Sequence, residues 1–273
     1  MNKQYYFLAG LPRTGNTVLS SILNQNPEVY SSPLSPVRQY LHLLESQSNN
    51  HEGLLRSEDY TGSHSILSKL LDNHYAHINK PIVFDRDKYW GDPDTLPLMK
   101  SYLTPNPKIV FTVRPLLEIL TSFVLVLKND FIQKEMFKHR WVSNPRLSKE
   151  DNICDFLLNP EGDLMHSLQS LEELSKEENK GVFHLVNYNT LVSNPTEVMT
   201  GIYKFIDKQS FLHSFSDLKK VERDNEARVG MPNNMHEVRP TLTRTSPLPA
   251  EVLSDYVLTK YAGLNDWMEK QLC

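Results

Sequence analysis

"YYFLAGLPRTGNTVLSSILNQNP", residues 5–27, decides the fold. Its first six residues are an apolar, aromatic run ending at Gly10, as expected of a buried strand that enters a tight turn. Beyond the turn, Val18, Leu19, Ile22 and Leu23 recur at helical spacing. Pro27 drives Asn26 away from helical backbone, so the helix is predicted to stop near residue 26. Strand, glycine loop and helix in this order make a phosphate loop, because the unpaired N–H groups at a helix start point at an anion. Gly10, Gly15 and Thr17 stand in the register of the pattern G-x-x-x-x-G-K-[ST], but Asn16 occupies the lysine position and Arg13 lies inside the loop. Triphosphate chemistry relies on that lysine to reach the terminal phosphates. An arginine offers instead a planar, permanently charged fork for two oxygens of one oxyanion. Thr17 and the backbone amides of residues 14–18, with Pro12 and Val18 flanking the turn, are the expected phosphate cradle.

Three further short apolar runs read as buried strands: "PIVF" at 81–84, "KIVFTV" at 108–113 and "GVFHLV" at 181–186. Each precedes a helix-like segment, at 94–103, 115–129 and 195–208. The alternation predicts an α/β fold with a parallel central sheet flanked by helices. Each run also delivers polar residues at its end: "DRDK", Arg114 and "NYN". In open α/β sheets that edge binds ligands. Pro115 suits the first position of a helix, which would bring Ser122 onto nearly the same face as Arg114. An arginine and a hydroxyl converging there make a second anion clamp. Residues 38–80 and 130–178 interrupt the alternation as mostly helical insertions that either pack the core or cover the ligand edge. With no internal repeat and no linker, residues 1–273 read as one domain.

Composition bounds the partners. The chain has 273 residues, a net charge of −4 and a pI of about 6.2. A broad basic surface for nucleic acid is not expected from that balance. Cys154 and Cys273 give neither a disulfide framework nor a zinc spacing, which suits a reducing, cytoplasmic setting. The early apolar run Tyr5–Ala9 is too short for a signal peptide or a membrane span.

With two separate anion sites in view, the chain resembles the sulfotransferases that use 3′-phosphoadenosine-5′-phosphosulfate (PAPS). "LPRTGNTVLSSILNQNPEV" is similar to their 5′-phosphosulfate loop, commonly P-R-S-G-T-T, and "VRPLLEILTSF" to their 3′-phosphate motif, an arginine with a serine eight positions on. "VNYNTLVSNPTEVMTGIYKFI" resembles the segment whose tyrosine, here Tyr188, lies near the adenine. "HEVRPTLTRTSPLPAEVLSDYVLTKYAG" resembles a C-terminal segment that closes over the nucleotide, which would bring Arg239 and Arg244, with His236, to the cofactor. The resemblance implies a P-loop-like sulfotransferase fold, PAPS as sulfuryl donor, no required metal, and transfer to a hydroxyl or amine of a small-molecule, peptide or glycan acceptor.

Such a transfer is an in-line displacement in which charge builds on the leaving phosphate. Arg13 and Arg86 are the expected stabilisers; Lys88 rivals Arg86 because the family commonly ends this strand with lysine. An arginine keeps the charge but donates no proton at neutral pH. The glutamate or histidine base of some members has no counterpart at "SSPLSP" (31–36) or beyond the 81–84 strand. Asp87 is the expected base, with Asp85 and the histidines at 42, 51, 64, 74 and 77 as alternatives, and ion pairing as the competing role of both aspartates. Trp90 reads either as a pocket wall or as buried core. Two other functions share the fold. In a small-molecule kinase Asp85 would hold magnesium; a non-catalytic nucleotide-binding protein would bind without transfer.

Overall fold

Five parallel strands carry the architecture among the residues described by the computed structural model, which are 2–52, 56, 61–127, 143–160, 162–219, 238–244 and 246–271. β1 (Gln4–Gly10) lies at the centre and leads through the glycine loop into α1 (Asn16–Leu23). β2 (Val29–Leu34) takes one edge; β3 (Ile82–Arg86) lies between it and β1. On the other side β4 (Ile109–Val113) pairs with β1, and β5 (Phe183–Asn187) takes the second edge. The order is β2-β3-β1-β4-β5, with Leu8 opposite Arg86 and Gly10 opposite Thr112. All the strands therefore end on one rim.

Both faces of the sheet are covered, so the central strands are apolar on successive residues. Phe7, Ala9, Val83, Ile109 and Phe111 face one cluster of buried side chains; Tyr6, Leu8, Phe84, Val110 and Val186 face the other. On the second face α1 supplies Leu19, Ile22 and Leu23, and α9 (Tyr188–Ser193) and α10 (Pro195–Phe205) supply Leu191, Met199 and Ile202. On the first face lie the segments that interrupt the alternation. α2 (Val37–Asn50), α3 (Thr61–Ser68) and α4 (Leu70–His74) bring Val37, Leu41, Leu67 and Leu71. α7 (Lys149–Leu157) and α8 (Asp163–Leu174) bring Ile153, Leu157, Leu164 and Leu171. Of the two roles open to these insertions, the described parts take core packing, at roughly 1.5–3 kcal/mol for each fully buried large apolar side chain.

The 94–103 segment divides into a single turn, α5 (Thr95–Leu98), and a π-helical turn over Met99–Leu103. α6 (Leu116–Leu127) follows β4 and is buried along most of its length. At the C-terminus, α11 (Asp255–Lys260) is clasped to α7 by one carboxylate. Asp155 accepts from Tyr256 Oη at 2.9 Å, Lys260 Nζ at 2.8 Å and Tyr261 Oη at 2.6 Å. α12 (Ala262–Gln271) then caps α6, with Asn265 Oδ1 accepting from the Leu117 N–H at 3.1 Å.

The edge strand β2 was not among the expected strands. Its sequence, "VYSSPL", has no apolar run, and Pro33 would be excluded from a central strand; an edge position tolerates both. No helix among the described residues is long and apolar enough to cross a membrane.

Candidate functional site

The glycine loop is locked before any ligand is considered. Gly10 has φ 145°, and a Cβ there would lie 2.2 Å from Thr112 Oγ1, so only glycine lets β1 and β4 close at this point. Thr14, buried in the loop, donates to the Leu11 carbonyl at 2.5 Å and meets Thr112 Oγ1 at 2.6 Å. Gly15 caps α1 with φ 85°, and a Cβ would fall 2.7 Å from the ring of Tyr188. Arg13 also takes left-handed backbone, at φ 64°, which a non-glycine residue adopts at a cost. That conformation turns its guanidinium toward α6, where Nε donates to Ser122 Oγ at 3.1 Å. Asn16, at the lysine position, directs Nδ2 back to the Leu11 carbonyl at a long 3.5 Å.

Arg114 stands at the end of β4, 2% exposed. Its Nε donates to Glu118 Oε2 at 2.9 Å, and its guanidinium carbon lies 4.7 Å from the ring centre of Tyr188. Nη2 is buried and has no hydrogen-bond acceptor among the described residues. Glu118 is the hub of this corner: its Oε1 accepts from Asn189 Nδ2 at 3.0 Å and from Arg244 Nη2 at 3.2 Å. Arg13 and Arg114 are close enough to affect each other. Burial first, and then the Arg114 charge, push the Arg13 pKa below the usual arginine value, while Tyr188 acts the other way. At the end of β3, Arg86 faces α1 and donates from Nη1 to Thr17 Oγ1 at 2.9 Å.

The structure thus brings Arg13, Thr14, Gly15, Asn16, Thr17, Arg86, Arg114, Ser122 and Tyr188 to one rim, with Pro12 and Val18 half-buried beside them. It pairs them differently from the expectation in one respect: Ser122 bonds Arg13, and Arg114 bonds Glu118. Arg244 joins the site through Glu118, positioned by two backbone bonds that tie its segment to residues 215–218, Leu218 N–H to the Pro240 carbonyl and Leu242 N–H to the Phe215 carbonyl. Arg239, in the same segment, is exposed. His236 lies outside the described residues.

The two aspartates after β3 have structural surroundings. Asp85 points to the Phe7 face, away from Thr17, and accepts from Ser35 at 2.6 Å and from Tyr75 and Trp90 at 2.8 Å. Both carboxylate oxygens of Asp85 are thus engaged by side-chain donors. Trp90 is wholly buried against Phe7, so it is core rather than pocket wall. Asp87, 1% exposed, accepts from Arg38 Nε at 3.2 Å, Gln39 Nε2 at 2.8 Å and the Tyr89 N–H at 2.9 Å. This clasps β3 to α2 through an ion pair with Arg38, a partner the sequence reading does not weigh. Lys88 Nζ lies over the Tyr89 ring rather than at the loop. Of the histidines, His42 meets Thr95 Oγ1 at 2.8 Å, His74 packs on Tyr75, and His51, His64 and His77 are exposed. Sequence reasoning missed Glu118 and Asn189. The spacing of Arg114 and Glu118, four apart at a helix start, was the available signal for the first.

Among the described residues no group of three or more His, Cys, Asp or Glu side chains is placed to hold a metal. Comparisons with known proteins bear on the family and the fold. A search of curated protein sequences finds no match. Solved structures share the fold. The sulfotransferase domain of the Synechococcus PCC 7002 olefin synthase is 17% identical, with 97% of this chain and 94% of that one covered, at TM-score 0.54. A sulfotransferase from Alicyclobacillus acidocaldarius is 14% identical, with 98% and 96% covered, at TM-score 0.52. Mouse sulfotransferase SULT7A1, solved in complex with PAP (adenosine 3′,5′-bisphosphate), is 10% identical, with 99% and 86% covered, at TM-score 0.53. The profile described as "Sulfotransferase family" matches residues 6–210, spanning the glycine loop, Arg86, Arg114, Ser122 and Tyr188. By that match the chain belongs to the sulfotransferase family, and it is a transferase of sulfuryl groups.

Proposed function

We propose that the donor is PAPS and that the protein transfers its sulfuryl group to a hydroxyl or amine of a small-molecule, peptide or glycan acceptor, releasing PAP. The observation that carries this reading is the buried Nη2 of Arg114, a charged donor with no acceptor among the described residues, over a Tyr188 ring that Gly15 also approaches. Leaving such a donor unsatisfied is costly, and a phosphate oxygen would satisfy it. The glycine loop supplies the second, separate anion cradle at the start of α1. A nucleotide with a 3′-phosphate and a 5′-phosphosulfate needs two such places; a triphosphate tail does not.

The residues fit that group as follows. The amides at the start of α1, with Thr17, hold the 5′ end, and Arg114 holds the 3′-phosphate. Tyr188 is near both: the Arg114 guanidinium lies over its ring and Gly15 approaches the same ring, so it would be beside the bound nucleotide. PAPS, when bound, supplies a sulfuryl group on a good leaving phosphate. Arg13 and Arg86 then place fixed positive charge beside the loop, where negative charge develops as the bond to sulfur breaks. Their bonds to Ser122 and Thr17 hold them in place beforehand, so little reorganisation is needed. Asp87, buried and engaged by three donors, keeps the end of β3 in register and is given no proton in this reading.

The test is calorimetric titration with PAP in the presence of EDTA, followed by an assay of PAP release from PAPS across a panel of phenols, alcohols, amines, sugars and tyrosine peptides. Micromolar or tighter PAP binding and acceptor-dependent release are expected. Absence of PAP binding overturns the reading; binding without release for any acceptor leaves a non-catalytic nucleotide-binding protein.

A further inference from the structure

Glu118 is an acid in the middle of a site built for anions. Four residues after Arg114, 8% exposed, it spends both oxygens on site groups: Oε2 on Arg114, Oε1 on Asn189 and Arg244. A carboxylate here would be expected to repel a phosphate, so its presence needs a reason. The geometry supplies one. Arg114 and Arg13 share a buried corner, and the Arg114 charge, after burial, disfavours that of Arg13. Without this acid of α6 beside Arg114, the corner would hold two guanidinium groups and no balancing charge on Arg114. Glu118 also takes the Nε edge of Arg114 and so leaves Nη2 for a ligand. By accepting from Asn189 Nδ2 it fixes that amide as well, turning a buried and unpartnered Oδ1 away from itself.

Resting on the PAPS reading, we propose that Glu118 is the positioning residue that makes this site selective for a 3′-phosphate: it aims Arg114 Nη2 at the phosphate, and it ties the 238–244 segment to the same corner through Arg244. Two effects of removing its charge compete. Loss of repulsion would strengthen phosphate binding; loss of aim would weaken it. Aim dominates, because a long buried arginine freed from its Nε anchor keeps, among the contacts of the described residues, the Tyr188 ring as its guide. Pre-organisation of this kind is worth more than a charge partly cancelled by its own partners.

The experiment compares PAP with 5′-AMP, which lacks only the 3′-phosphate, in the wild type, Glu118→Gln and Glu118→Asp. Gln keeps the size and places an amide N–H against one of the donors; Asp keeps the charge and withdraws it by one methylene. The wild type is expected to prefer PAP at least tenfold. In Glu118→Gln that preference falls fivefold or more while 5′-AMP affinity stays within about twofold, a split that general loosening of the fold would not give. If Glu118→Gln does not fold, as judged by its melting transition, the same criterion is applied to Glu118→Asp. A wild-type preference that is unchanged or raised in the folded variant overturns this inference alone. No preference in the wild type overturns the PAPS reading, and this inference with it.

Discussion

Arg114 shows how far a single residue can be read from each direction. In the sequence it is one arginine after a strand, and only its spacing to Ser122 singles it out. In the structure it is a buried cation stacked on Tyr188, anchored on one edge and open on the other. The Ser122 hydroxyl found by the same spacing serves Arg13, because the left-handed backbone of Arg13 swings its side chain across to α6. That crossing depends on a backbone angle no residue pattern announces. Arg114→Ala is expected to weaken PAP binding by about 1.5–3 kcal/mol, or roughly 10–150-fold, as for a charge-assisted bond. It should leave 5′-AMP affinity nearly unchanged, since Glu118 keeps Asn189 and Arg244 as partners. Titration of both nucleotides decides it: an equal loss for the two would mean that the loop, not the 3′-phosphate contact, had been damaged.

At the scale of elements, β1, β3 and β4 were legible because a strand buried on both faces is apolar on consecutive residues. β5, at an edge and only partly buried, was legible because it still carries the apolar run "GVFHLV"; β2, at the other edge, was hidden because "VYSSPL" has none. The end of β3 was hard to read for a related reason. Alternation sends Arg86 to the loop and Asp85 to the opposite face, so the charged string "DRDK" is divided between a site and a core. There, burial pushes Asp85 up to about 6 from 3.8, while its bonds to Ser35, Tyr75 and Trp90, the next largest influences, act in the opposite direction. The sign follows from linkage. Between pH 3.8 and 6 the unfolded chain has lost this proton and the folded chain keeps it, so stability falls as pH rises through that window and levels off above it. The span corresponds to a loss on the order of 3 kcal/mol. Asp85→Asn has no such proton. Denaturant unfolding from pH 3.5 to 7.5 should show wild-type stability declining relative to Asp85→Asn up to about pH 6 and parallel to it beyond; a constant difference across the range would refute the assignment.

For the whole molecule, the choice of ligand follows from where the sheet delivers its ends. One rim receives the glycine loop from β1, Arg86 from β3, Arg114 from β4 and Tyr188 from β5, so the two proposed anion cradles both adjoin one aromatic ring. A ligand that spans them ties four strand ends and α1 together and binds only the folded chain. Mass action then sets the gain: at a hundred times the dissociation constant it is about 2.7 kcal/mol. For a chain of this size each kcal/mol raises the melting temperature by about 2–4 °C, so PAP with EDTA should raise it by roughly 5–10 °C. ATP with magnesium, at the same concentration, meets a loop with Asn16 in place of the lysine and an Asp85 already filled by Ser35, Tyr75 and Trp90. Its shift should be less than half as large and should not depend on the metal. A larger shift with magnesium and ATP than with PAP would mean that the rim is used by a triphosphate, and the assignment of Arg114 to a 3′-phosphate would fall with it.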